Sequence, residues 1–155
     1  MTSTAAFELF PYRLPKAEFW LFGSFSDGGV GVVRDGDIEQ NLHFGPAQFA
    51  VLAILVMAAQ RTGSDPAGGS PGGPGGPGAF LSVRRLKQEL ARHADGIVDP
   101  EYVVRNVFRA RETLASAGAE AGLDGHGWSR MFLESTPLGY RVSLPPENLH
   151  LRLLE

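Results

Sequence analysis

The 155 residues contain no cysteine, which excludes disulfides and cysteine-held metal sites and gives no support for an oxidising compartment. Long hydrophobic runs are missing as well. The longest, residues 49–59, covers about half of what a helix needs to cross a bilayer, and no basic segment followed by an apolar one opens the chain. A cytoplasmic protein with no signal peptide and no membrane contact is the expectation. Clustered catalytic groups are lacking too: His43, His93, His126 and His150 are scattered, and none has a histidine or carboxylate three or four residues on. Gly29 and Gly31 begin a glycine pattern that never becomes a dinucleotide loop, and neither a nucleophile elbow nor a phosphate loop with lysine is present. The chain therefore reads as a protein without catalytic activity, metal or cofactor. An overall excess of positive charge, the usual mark of a polyanion partner, is also absent, since the net charge is -3.

The distribution of that charge is uneven. Residues 80–111 carry seven basic and four acidic side chains, whereas the segments on either side are each net acidic by three. The middle of the chain is a candidate polyanion-facing region, although an excess of three is also ordinary on a solvated helix face.

Length and apolar content suffice for one core, and the punctuation of the sequence orders the elements around it. Residues 18–23 and 29–34 read as a hairpin of aromatic and β-branched strands, and a further turn at Asp35-Gly36 leads to a strand over 37–41, an antiparallel meander. Gly45-Pro46 opens a first helix over 47–60, apolar on every side and so expected at the centre of the core. Residues 63–79 are Gly, Pro, Ser and Ala with one charge, a composition predicting a disordered loop that interrupts the domain. Phe80-Leu81 is a candidate short strand. Ser82 then caps a helix reaching about His93 with Val83, Leu86 and Leu90 inward, and Asp99-Pro100 starts a third helix through about Ala117. Residues 118–127 read as loop, 128–135 and 139–144 as a hairpin around Thr136-Pro137-Leu138, and 148–153 as a last strand or a tail. Trp20 and Trp128 read as packing residues of the sheets.

Several segments together resemble a known family. These are Phe44-Gly45-Pro46-Ala47-Gln48-Phe49-Ala50-Val51-Leu52, Leu81-Ser82-Val83-Arg84-Arg85-Leu86, residues 103–114, and residues 130–142 closing on Gly139-Tyr140-Arg141. In that order they resemble the OmpR/PhoB-type effector domain of bacterial transcription factors. The N-terminal strands and Leu144-Pro145-Pro146-Glu147-Asn148-Leu149 are closer to the variant in Streptomyces antibiotic regulatory proteins. The resemblance, over about residues 18–152, implies an α+β winged helix-turn-helix with an N-terminal antiparallel sheet, three helices and a C-terminal β-hairpin wing. It also implies double-stranded DNA as partner, the third helix in the major groove, and a homodimer on repeated half-sites. Three features depart from the family: the Gly-Pro insertion between the first two helices, the long connection to the wing, and a wing tip without a basic residue.

A helical wheel of the third helix places Val103, Val107, Ala110 and Leu114 in one narrow arc, the buried stripe. The opposite face carries Glu101, Arg105, Phe108, Arg109 and Glu112. The resemblance puts Arg105, Phe108 and Arg109 against the bases, where an arginine fork matches guanine O6 and N7 and a phenylalanine meets a thymine methyl. Arg84, Arg85 and Lys87 would hold phosphates from the second helix, and Arg130 and Arg141 from the wing strands. A competing reading stays open. Glu101 and Glu112 repel phosphate, Glu101 is spaced to pair with Arg105, and an exposed Phe108 suits protein contact, so the same face fits an adaptor that binds a protein partner and no DNA.

Overall fold

A computed structural model describes residues 17–63, 80–93, 96–122, 129–130, 132–144 and 146–154. Three strands, β1 (Glu18–Ser24), β2 (Gly28–Asp35) and β3 (Ile38–Phe44), form the expected antiparallel meander, in register from Glu18 opposite Arg34 to Ser24 opposite Gly28. The two-residue period sorts the side chains. Phe19, Leu21, Val33, Leu42 and Phe44 are buried on the inner face, while Glu18, Trp20, Arg34, Glu39 and Asn41 alternate with them on the outer one.

Against that inner face lies α1 (Pro46–Gly63), whose residues Phe49 to Val56 are all buried. It packs on the sheet, on both other helices and on the hairpin, which explains why it is apolar on every side. Helix α2 (Val83–Ala91) buries Leu86 and Leu90, and the Ser82 hydroxyl accepts the Arg85 amide proton at 3.1 Å as N-cap. Helix α3 (Pro100–Glu120) runs a turn further than its sequence suggests. Ala117 and Gly118 are buried and its final turns lie along β3, so tertiary cover offsets the weak helix preference of Gly118.

The hairpin is β4 (Leu133–Thr136) with β5 (Gly139–Val142), and Leu81 adds a third, bridge-like strand by exchanging both backbone hydrogen bonds with Tyr140 at 2.8 and 2.9 Å. The strand expected from residue 128 begins only at Leu133, because Ser129 and Arg130 are helical. Trp128, residues 123–127 and the proposed disordered stretch from 64 to 79 lie outside the described residues, while Gly63 closes α1.

The final segment, β6 (Leu149–Leu153), changes the sheet. It pairs with β1 in parallel, giving a four-stranded order β3-β2-β1-β6, so the N-terminal sheet is mixed and not purely antiparallel. Two side chains fix its arrival: Asn148 Nδ2 donates to the Ala17 carbonyl at 2.9 Å and Gln60 Nε2 to the Leu149 carbonyl at 3.0 Å. Among the described residues no helix is long and apolar enough to cross a membrane.

Candidate nucleic-acid interface

Helix α3 is started by Asp99, whose carboxylate accepts the Tyr102 amide proton at 2.8 Å, with Pro100 in the first turn where its missing N–H costs nothing. The wheel derived from sequence holds. Val103, Val107, Ala110 and Leu114 are buried, joined by Asn106, which is satisfied by donating to the Tyr102 carbonyl at 2.9 Å. Glu101, Arg105, Phe108, Arg109 and Glu112 are all exposed. Arg105 and Arg109 stand one turn apart, and among the described residues neither enters an ion pair, so the spaced Glu101–Arg105 pair does not form. Sequence reasoning left out Val104, 47% exposed, which lies four residues before Phe108, 60% exposed, and makes a short apolar ridge beside the arginines.

Helix α2 packs on α3 through Leu86 and Leu90 and turns its cations outward. Arg84 and Lys87 are exposed and, among the described residues, unpaired. Arg85 is tied to Glu89 at 3.3 Å, and Glu89 also draws Arg92 at 3.7 Å, so one carboxylate partly neutralises this helix. A phosphate contact from Arg85 would have to compete with that pair, whereas one from Arg84 or Lys87 would not.

Arg141 is the site residue that the structure relocates. It is 7% exposed, its Nε donates to Glu134 Oε1 at 2.8 Å, and its guanidinium lies over the Phe80 ring at 4.3 Å from the centroid. Alternation along β5 puts it with Glu134 on the face of the hairpin opposite the core-facing Leu133 and Val142, where the Phe80 ring covers it. It holds the hairpin together and is not available to a phosphate. Arg130, by contrast, is exposed just before the hairpin.

Arg111 went unnoticed in the sequence because it borders the buried stripe of α3. Its Nε and one terminal nitrogen both donate to the Leu133 carbonyl, at 3.1 and 2.9 Å, and its guanidinium faces the Tyr140 ring at 6.0 Å. Burial pulls this guanidinium below the usual arginine range, Tyr140 pushes it back up, and the neighbouring charge of Arg130 lowers it again. Arg111 thus locks α3 to the hairpin and brings the two into one unit, with Arg130 close enough to be felt. Leu138 projects from the hairpin tip, 62% exposed, where no cation stands. Among the described residues no three histidine, aspartate or glutamate side chains converge to hold a metal ion. Comparison with known proteins finds no family model, no curated protein and no solved structure that matches this chain.

Proposed function

We propose that the chain is a DNA-binding transcriptional regulator of the winged helix-turn-helix type, acting in the cytoplasm, with α3 in the major groove and the β4–β5 hairpin as the wing. One observation carries this reading: Arg105 and Arg109 project from the same exposed face of α3, one turn apart, without an ion-pair partner among the described residues. Two planar donor forks at that spacing suit guanine edges on neighbouring base pairs, with Phe108 between them against a thymine methyl. Arg84, Lys87 and Arg130 then hold phosphates, joined by Arg85 when it leaves Glu89.

The test is selection of preferred duplexes from a random pool, followed by fluorescence anisotropy against selected and scrambled sequences. Arg105→Ala with Arg109→Ala is expected to erase the preference for selected sites, each arginine being worth about 1 to 3 kcal/mol of discrimination. Undiminished preference in the double variant would reject this placement of α3.

A second reading rests on the apolar ridge of Val104 and Phe108. An exposed phenylalanine beside a valine is the composition of a protein-contact surface, and an adaptor built on it would bind a protein partner and show no salt-dependent DNA affinity. Phe108→Ala would then abolish partner capture while random duplex fails to bind at any salt concentration.

A further inference from the structure

A sheet with helices on one face ordinarily turns polar side chains to water on the other. The outer face here does not follow that rule. At its centre stand Trp20, Phe22, Val30 and Val32, with Trp20 opposite Val32 and Phe22 opposite Val30 across the two middle strands. All four are half-buried, and none is among the residues packed on the core, so they form a separate apolar block.

Trp20 is clamped from both flanking strands. The His150 ring of β6 stacks on it at 5.0 Å and 16°, and the Arg34 guanidinium of β2 lies 5.1 Å from its centroid. Each clamp is itself tethered, His150 to Glu18 at 3.4 Å and Arg34 to Glu39 at 3.1 Å. A tryptophan held in place beforehand loses little freedom on docking, and residues of this kind carry most of the energy of protein interfaces.

We propose that this face is a homodimer interface in which two copies of the chain pack sheet to sheet. The choice of a second copy follows from the charges at the two ends of the face. The pairing register sets Glu18 and Glu39 at one end, with Arg34 between them offsetting one charge, and Arg152 and His43 at the other, level with Phe22 and Val30. A two-fold axis crossing the strands at Trp20 and Val32 lays each acidic end on the other copy's basic end, Glu39 over His43 and Glu18 beside Arg152. The same axis sets the outward edge of Trp20, and Val32, against their counterparts. An axis along the strands would instead leave Arg152 over His43 without a carboxylate and set Glu18 over Arg34, a guanidinium already engaged by Glu39. Strand spacing and rise give a footprint of about 20 by 20 Å. That is about 400 Å² from each copy, below what a stable dimer buries, so the association is weak and reversible. It does not rest on the DNA-binding reading, because none of its residues lies on α2, α3 or the hairpin.

Sedimentation velocity of the full chain over a rising concentration series tests it. The wild-type protein is expected to pass from monomer to dimer mass. Trp20→Ala and Val32→Lys should each weaken association by about tenfold or more, with circular dichroism showing the fold retained. Arg152→Glu, at an exposed position, should weaken it too, and adding Glu18→Lys should restore it by reversing the pair. Arg105→Ala should change nothing, which keeps this outcome distinct from any result with DNA. A wild-type chain that stays monomeric throughout, whether or not it captures another protein through Trp20, overturns the proposal. So does a folded Trp20→Ala or Val32→Lys protein that dimerises normally, or failure of the charge reversal to restore association.

Discussion

At Gly139 the backbone takes φ +128°, and a Cβ built there would lie 2.1 Å from the Leu81 carbonyl oxygen. Both facts demand glycine: the conformation is one that side-chain-bearing residues rarely adopt, and the close strand contact leaves no room for a methyl group. Gly139→Ala is therefore expected to destabilise the protein by about 1 to 3 kcal/mol in urea titration, with loss of the Leu81 bridge visible as faster amide exchange at Tyr140. Next to it Arg141 is structural for a different reason. Its charge is buried and answered by Glu134, which is itself about a third exposed, so removing the arginine leaves a half-solvated carboxylate behind. Arg141→Met should cost about 1 to 3 kcal/mol of stability, discounted from a fully buried pair, yet leave the salt dependence of the proposed DNA binding unchanged. A lowered salt slope in that folded variant would return Arg141 to the phosphate contacts. The Gly-Tyr-Arg motif was visible in the sequence, but its role was not, because a motif shows which residues stand together and not which way a strand faces.

At the scale of the element, the helices were the most legible part. Ser82 and Asp99 are caps as their positions predicted, and the buried stripe of α3 matches a wheel drawn from residue spacing alone, since a 3.6-residue period admits few alternatives. Asp99→Ala is expected to lower stability by about 1 kcal/mol, measured by thermal melting, through loss of the Tyr102 amide's acceptor. Helix α2 offers a sharper comparison between neighbours. If the chain binds DNA as proposed, Arg84→Ala or Lys87→Ala should each reduce the salt slope of that binding by about 1, whereas Arg85→Ala should do less, because Glu89 already engages that guanidinium. Equal effects of all three substitutions in anisotropy titrations would show that the ion pair opens freely on DNA. The element boundaries read less well. Helix α3 outruns its expected end and β4 starts five residues late, in both cases where contacts with the rest of the chain decide local conformation.

At the scale of the whole molecule, β6 closes the sheet against β1 and ties the last residues of the chain to the first described ones. Leu149 is buried, and its carbonyl receives Gln60 from the end of α1, so the strand joins the sheet to the central helix. Leu149→Ala is expected to cost about 2 to 4 kcal/mol in chemical denaturation. Arg152→Ala, on an exposed position of the same strand, should be close to neutral for folding. If both variants melted like wild type, β6 would be a dispensable tail. Its parallel pairing was out of reach of sequence reasoning because the two strands are separated by all three helices and the hairpin, and no turn residue records a partner that distant.

What the sequence determined by itself is local: the order of strands and helices, their caps and turns, the face of α3 that is buried and the face that carries Arg105 and Arg109. These follow from periodicity and from side chains acting on backbone within a few residues, interactions that need no knowledge of the remaining chain. Only the tertiary structure decided that β6 runs parallel to β1, that Arg141 is enclosed beneath Phe80 while Arg130 is not, that Arg111 clamps the hairpin to α3, and that Trp20 is held between His150 and Arg34 on an outward face. Each of these depends on residues far apart in sequence meeting in space, and burial, the quantity that separates a structural charge from one free to bind, exists only once they have met.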